Sequence, residues 1–463
     1  MTSRRAIVLV DGEHYPPVIR AALGSLAEQG TSAVAALFLG GTEKVVERGA
    51  DVDLGVPAEW VAPSGGPAPD VAVAAAHLTR LIAAHHPDVI VDLSDEPVLD
   101  ARRRLQLAAH ALLAGAVYEG ADFVLTPPAR PRLTRRPTIA VVGTGKRTGK
   151  TAVAGELTRR LYASGRQPVI VAMGRGGPPQ PVIVRAGARL DPETLLAVAD
   201  AGGHAASDFY EDAVTSGAAT VGARRCGGGL AGAVGYSNVA AAVRAADGLP
   251  GDLLLVEGSG SAVPPVHADA TVLVVPADCD PELVRGYLGS YRVLLADLIV
   301  VTMCESPRGV PEKLDAVTEA LRSISRRSSV LRTVLRPVPL EPVGGDRVFF
   351  ATTAPATVGA SLVDTLEGRH GCEVVATSHR LADRPALISD LAAAPPFDVL
   401  LVELKAAAVD VAVRSAARAG ARVVFCDNRP IIVGAHEAAG DATDLQDAVV
   451  ALTQLADERA TAR

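Results

Sequence analysis

At 463 residues, with 49% hydrophobic but only 3% aromatic side chains, the chain has material for two or three cores of ~150 residues each, built mainly from Ala, Val and Leu. Its net charge of −7, with no basic block longer than residues 102–104, argues against a nucleic-acid or membrane-surface role. No apolar run reaches the ~18 residues of a membrane span. The Arg4-Arg5 start with the short run 6–10 is wrong for a signal peptide, and five scattered cysteines (Cys226, Cys279, Cys304, Cys372, Cys426) with no C-x-x-C pair point to a reduced, cytoplasmic chain without a zinc site.

Residues 1–130 alternate strand and helix, with strands over 6–10, 33–39, 88–92 and 122–125 and helices starting near Pro17, Asp70 and Pro97. The Pro/Arg-rich stretch 126–137 can continue neither element and marks a boundary. A second unit, 137–345, opens with a strand over 138–142, a Gly-rich turn and a helix over 149–164, then continues through strands 168–172, 253–256, 271–275 and 298–302. Its residues 202–235 are Gly-rich and weakly periodic, too long for an idle connection. A third unit, 346–463, repeats the alternation with strands over 348–351, 373–377, 399–402 and 422–425. No fixed-period repeat runs through the chain.

The turn at 143–151 reads GTGKRTGKT. A strand feeding a Gly-rich turn that opens a helix aims backbone N–H groups and the positive helix end at one spot, which binds phosphate. The ending Gly149-Lys150-Thr151 matches G-x-x-x-x-G-K-[ST], with the leading glycine, Gly143, one residue further back than usual. Gly143, Thr144, Gly145, Arg147, Thr148 and Gly149 form the nucleotide cradle; Lys150 is placed on the β/γ-phosphates, Thr151 on Mg²⁺ and Lys146 over the γ-phosphate. The expected fold is therefore α/β: doubly wound, mostly parallel sheets, with a P-loop NTPase core flanked by N- and C-terminal α/β units. ATP and Mg²⁺ are the expected cofactors.

Only five lysines stand against 40 arginines: Lys44, Lys146, Lys150, Lys313 and Lys405. Two fall inside the phosphate turn, and Lys44 and Lys405 follow the strand-like runs AALFLGG and DVLLVEL. A compact ammonium meets a phosphate differently from a planar guanidinium, which gives the placement a physical reason. Glu257 ends the strand-like run LLLVEGSG and is a second candidate Mg²⁺ ligand. MGRGGPP with Arg175, and RRCGGG with Arg224 and Arg225, combine guanidinium forks with open backbone amides and suit anions. Asp208, in SDFYED, is a third candidate metal ligand. In the first unit Asp11, His14, Gly40, Gly41 and Lys44 follow strand ends and are candidate substrate contacts, as is Lys405 in the third.

The longer G-T-x-x-x-x-G-K-T spacing and E-G-x-G strand end resemble the dethiobiotin synthetase branch of P-loop enzymes. The set DGEHYPPVI, ALFLGGTEK, GTGKRTGKT, AMGRGGPP, ASDFYEDA, RRCGGG, LLLVEGSGSAVPP and LLVELKAAAVDVA, spread over nearly the whole chain, resembles the cyclic 2,3-diphosphoglycerate synthetase family. The resemblance implies ATP-dependent closure of the two phosphates of 2,3-diphosphoglycerate into an intramolecular anhydride, with release of ADP and phosphate, by a dimeric protein. Two other readings stay open on the residues alone: an ATP-dependent ligase or kinase for another small anionic acid, and a nucleotide-switched regulator.

Overall fold

The computed structural model describes residues 3–40, 53–61, 70–305, 307–405, 408–433 and 444–462; the candidate contacts Gly41 and Lys44 lie outside them. The chain divides into two compact units. One comprises Met1–Ala129, Asp280–Leu295 and Thr318–Arg326; the other comprises Arg130–Cys279, Ala296–Val317 and Arg327–Arg463.

The first unit runs β1 (Arg4–Val10), α1 (Pro16–Glu28), β2 (Thr31–Phe38), β3 (Ala58–Trp60), α2 (Val71–His85), β4 (Val89–Asp92), α3 (Ala101–Leu113), β5 (Val117–Glu119) and β6 (Val124–Leu125). Its sheet order is β3-β2-β1-β4-β5-β6, parallel except at the β5–β6 edge. The order reverses between β1 and β4, the switch point at which doubly wound sheets open a crevice. Ala6, Val8 and Val10 on β1 pack with Val89 and Val91 on β4 and with Ile19 and Leu23 on α1. The third helix begins at Ala101 rather than near Pro97, because the Asp100 carboxylate accepts from Arg103 N and fixes the helix start.

The second unit contains β7 (Thr138–Gly143), α4 (Lys150–Ala163), β8 (Pro168–Gly174), β9 (Val182–Val184), α5 (Pro192–Asp200), α6 (Asp208–Ser216), β10 (Ala219–Cys226), β11 (Tyr236–Ser237), α7 (Val239–Asp247), β12 (Leu253–Glu257) and β13 (Ala270–Pro276). After α8 (Pro281–Arg285) and α9 (Gly289–Leu295) of the first unit come β14 (Leu298–Thr302), α10 (Pro311–Ile324), β15 (Ser329–Pro339), β16 (Arg347–Ala351), α11 (Gly359–His370), β17 (Glu373–Ser378), α12 (Arg384–Ala393) and β18 (Val399–Glu403). A π-helical turn (Ala408–Val413), α13 (Arg414–Ala419), β19 (Arg422–Ile432) and α14 (Leu445–Thr461) complete it.

Its strands join in the order β11-β10-β8-β12-β7-β13-β14-β15-β19-β18-β16-β17, with β9 paired to β10. The strands from β10 to β15 are mutually parallel, as are β19, β18, β16 and β17; the two sets meet where β15 runs antiparallel to β19. The central strands are buried along their whole length, which is why they read as unbroken apolar runs rather than alternating ones. The α/β, doubly wound and mostly parallel architecture expected from the sequence is the observed one. The chain's last helix returns to the first of this unit's strands: Leu445, Val449, Leu452 and Ala456 of α14 share a core with Ile139, Val141, Leu157 and Leu161.

The Gly-rich stretch 202–235, too long for an idle connection, holds α6 and β10. Gly222 of β10 lets α6 lie close: a Cβ there would stand 2.7 Å from the Phe209 ring. Glycines and alanines placed for close packing erase the periodicity that marks a strand. Gly222→Ala is expected to cost ~1–3 kcal/mol of stability by overpacking, measured by urea unfolding; an unchanged midpoint would show that Phe209 yields freely.

Candidate active site

Strand β7 delivers Gly143 to the turn, and α4 begins at Lys150 after Gly149, whose φ of +88° requires glycine. Gly143 is needed for a different reason, since a Cβ there would stand 2.8 Å from Thr148 Oγ1 and 2.9 Å from Lys150 Cδ. The Lys150 side chain curls back over the turn, donating to the Gly145 carbonyl at 2.9 Å. Thr302 at the end of β14 donates to the Thr148 carbonyl at 2.8 Å, tying the turn to the sheet. Lys150 is buried, and burial pulls its pKa down against the opposing charges of Glu257 and Asp208.

A cavity of about 590 Å³ opens over this turn. Its wall includes Lys146 through Thr151, the turn after β8 with Arg175, the start of α6 with Asp208 and Glu211, and Glu257 at the end of β12. It also includes Thr353, Glu403, Lys405 and Asn428 from the C-terminal strand ends. Lys146 and Lys150, from the turn after β7, and Lys405, after β18, thus line one space.

Thr151 Oγ1 donates to Glu257 Oε1 at 2.9 Å. Glu257 Oε2 and both Asp212 oxygens are buried without a hydrogen-bond partner among the described residues. Burial, then the charge of Asp208, pushes the Glu257 pKa up to about 7; burial and then Glu257 push Asp212 well above the carboxylate range. A hydroxyl and a carboxylate with one free buried oxygen suit Mg²⁺, which takes few protein ligands and fills its shell with phosphate and water. Among the described residues no three His, Cys, Asp or Glu side chains form a ready cage.

Above the turn two guanidiniums converge. A Cβ on Gly260, whose φ is +62°, would lie 2.4 Å from Arg175 Nη2 and 3.2 Å from Arg225 Nη2. Neither arginine has an ion-pair partner among the described residues; Arg225 is fixed by donating to the Ser259 carbonyl at 2.7 Å and the Gly227 carbonyl at 2.9 Å. Like charges held together in this way are built for an anion. Arg224 is turned elsewhere. Its Nε donates to the carbonyls of Gly177 and Pro178 at 3.0 and 2.9 Å, pinning the turn that carries Arg175.

In the C-terminal set, Lys405 Nζ pairs with Glu211 Oε1 at 3.0 Å. Burial lifts the Glu211 carboxyl to about 8 in spite of that ammonium. In the first unit, Asp11 is fully buried and ties its own loop to the one after β4, accepting from Glu13 N, His14 N and Asp95 N. Its Oδ1 also lies 2.7 Å from His14 Nδ1, and His14 Nε2 lies 3.4 Å from Asp95 Oδ2, so the imidazole sits between two carboxylates. Gly40 accepts from Gly12 N at 2.7 Å, closing the ends of β1 and β2 together. Sequence reasoning read Glu211 and Asp212 only as members of the stretch 207–212, a source of metal ligands or a base, and passed over Thr353, Glu403 and Asn428; the one available signal was the Glu two residues before the rare Lys405.

Three family models match the chain in tandem: the cyclic 2,3-diphosphoglycerate synthetase N-terminal domain over residues 5–126, its P-loop domain over 138–334 and its C-terminal domain over 339–429. A cyclic 2,3-diphosphoglycerate synthetase of Rubrobacter xylanophilus is 46% identical over 433 residues, 93% of this chain and 95% of that protein. The Methanothermus fervidus protein of that name is 40% identical over 461 residues, 98% of each. The one from Thermococcus kodakarensis is 40% identical over 96% of this chain and 98% of its own length. The motifs from DGEHYPPVI to LLVELKAAAVDVA pointed to this family, and the match extends over the phosphate turn and all three segments: the chain belongs to the cyclic 2,3-diphosphoglycerate synthetase family.

Proposed function

We propose that the protein is an ATP-dependent synthetase that converts 2,3-diphosphoglycerate to cyclic 2,3-diphosphoglycerate, releasing ADP and phosphate. The observation that carries this reading from family to chemistry is the shared cavity, in which the phosphate turn and Lys405 line one space. An oxygen of one substrate phosphate attacks the γ-phosphorus of ATP, the bond to the bridging oxygen breaks, and ADP leaves. An oxygen of the other substrate phosphate then attacks the phosphorus bonded to glycerate, and the terminal phosphate departs with the electron pair. Each step crowds anions, so the protein's task is positioning and charge neutralisation.

Lys150 and Lys146 grip the transferring phosphoryl, with the backbone of Gly143, Thr144, Gly145, Arg147, Thr148 and Gly149 beneath it. Arg175 and Arg225 receive the departing phosphate, with Arg224 holding the turn of Arg175 in place. Thr151 and Glu257, with Asp208 beside them, would hold Mg²⁺, which when bound neutralises charge on the β- and γ-phosphates. Lys405 exchanges Glu211 for the substrate's second phosphate, and His14 and Gly40 are the first unit's candidate substrate contacts. The reading includes a cytoplasmic homodimer; among the described residues no helix is long and apolar enough to cross a membrane. The test is ATP turnover of the pure protein with and without 2,3-diphosphoglycerate, with products followed by ³¹P NMR. Stimulated ADP release with diphosphate-type signals that belong to no nucleotide is expected, and absence of stimulation rejects the substrate.

A further inference from the structure

Glu403 is the last residue of β18, at the reversal point between β16 and β18 in the parallel set β17-β16-β18-β19. It is 2% exposed, yet no arginine pairs with it among the described residues. Four donors fill its oxygens: Thr352 Oγ1 at 2.5 Å and Asn428 Nδ2 at 2.9 Å on Oε1, and Thr353 N at 3.1 Å and Thr353 Oγ1 at 2.7 Å on Oε2. Burial works against its charge, but the Lys405 ammonium and these hydrogen bonds prevail and hold its pKa below the ordinary value.

A carboxylate so saturated has little capacity left to act as a base or to ligate an ion. A buried charge is costly, and one kept ionised by a full set of donors serves as a fixed counter-charge. Lys405 is two residues along the chain: its backbone N–H donates to the Glu403 carbonyl at 2.8 Å, and its side chain, paired directly with Glu211, enters the cavity wall. The donors to Glu403 shape that wall too, because Thr352 Oγ1 accepts from Ala354 N at 2.9 Å and Thr353, Ala354 and Asn428 all line the cavity. Glu211 is the direct partner of Lys405, and Asp208 adds a further negative charge near it.

We propose that Glu403 is a positioning residue for the reaction: it holds the Lys405 ammonium at the cavity wall when Glu211 gives way to the substrate's second phosphate. The proposal rests on the reading that Lys405 binds 2,3-diphosphoglycerate, and the experiment separates the two. In Glu403→Gln, which keeps the shape and removes the charge, KM for 2,3-diphosphoglycerate is expected to rise about tenfold while KM for ATP stays within about twofold. Lys405→Gln is expected to raise the same KM at least as much. The double variant is expected to match Lys405→Gln alone, because a residue acting through Lys405 has nothing left to act on; multiplying effects would mean a merely structural role and overturn the proposal. A normal KM in Glu403→Gln beside a raised one in Lys405→Gln overturns the proposal and leaves the reading standing. A normal KM in Lys405→Gln overturns the reading itself. Should Glu403→Gln not fold, Thr352→Val, which removes one donor to the carboxylate, carries the test with a rise of about threefold expected, again absent in the Lys405→Gln background.

Discussion

Lys150→Ala is expected to lower ATP-dependent turnover by ~10³-fold or more, with a melting temperature close to that of the unaltered protein. The ammonium is buried in the turn and rests on the Gly145 carbonyl, so it contributes few contacts to the core. Taking it from water is already unfavourable, and burial is the largest influence on its pKa. A group held charged at such cost, with Glu257 and Asp208 rather than packing to compensate it, is there for an anion that arrives later. ADP release measured beside thermal melting checks the claim: turnover near that of the unaltered protein removes Lys150 from the chemistry.

The second large effect is on folding. Deleting residues 445–463 removes Leu445, Val449, Leu452 and Ala456 from the core shared with β7 and α4. At ~1.5–3 kcal/mol per large apolar side chain, the gross loss is on the order of 8 kcal/mol, comparable to the ~5–15 kcal/mol stability of a whole protein. Arg166 also loses its pair with Asp457 at 2.7 Å, and Asp297 its pair with Arg459 at 3.0 Å. The truncated chain is expected to lose its cooperative melting transition in circular dichroism and to aggregate. A sharp transition within a few degrees of full length would mean that the phosphate-turn core stands without α14.

The parts legible in the sequence are those whose physics is local. The phosphate turn announces itself because glycines, lysine and threonine must follow a strand and open a helix at fixed spacing. Strands β7, β8, β12, β13, β14 and β18, buried along their length, appear as apolar runs between turn residues. What escaped is set by partners far along the chain. β10 is disguised by Gly222, which exists for Phe209 of α6, and β15 by the arginines and prolines of RTVLRPVP. Arg224 and Arg225 are adjacent and chemically identical, yet strand alternation sends one guanidinium to the Gly177 and Pro178 carbonyls and the other to Ser259 beside Arg175. Glu403 looks like any strand-end carboxylate until Thr352, Thr353 and Asn428 are seen around it.

The return of α14 also bears on how the protein is made. Synthesis delivers β7 and the phosphate turn roughly 300 residues before the helix that covers them, and translation at ~5–20 residues per second makes that an interval of tens of seconds. During it the apolar face of α4 has no permanent cover. A nascent chain paused before residue 445 therefore offers a chaperone-binding surface where α14 is to pack.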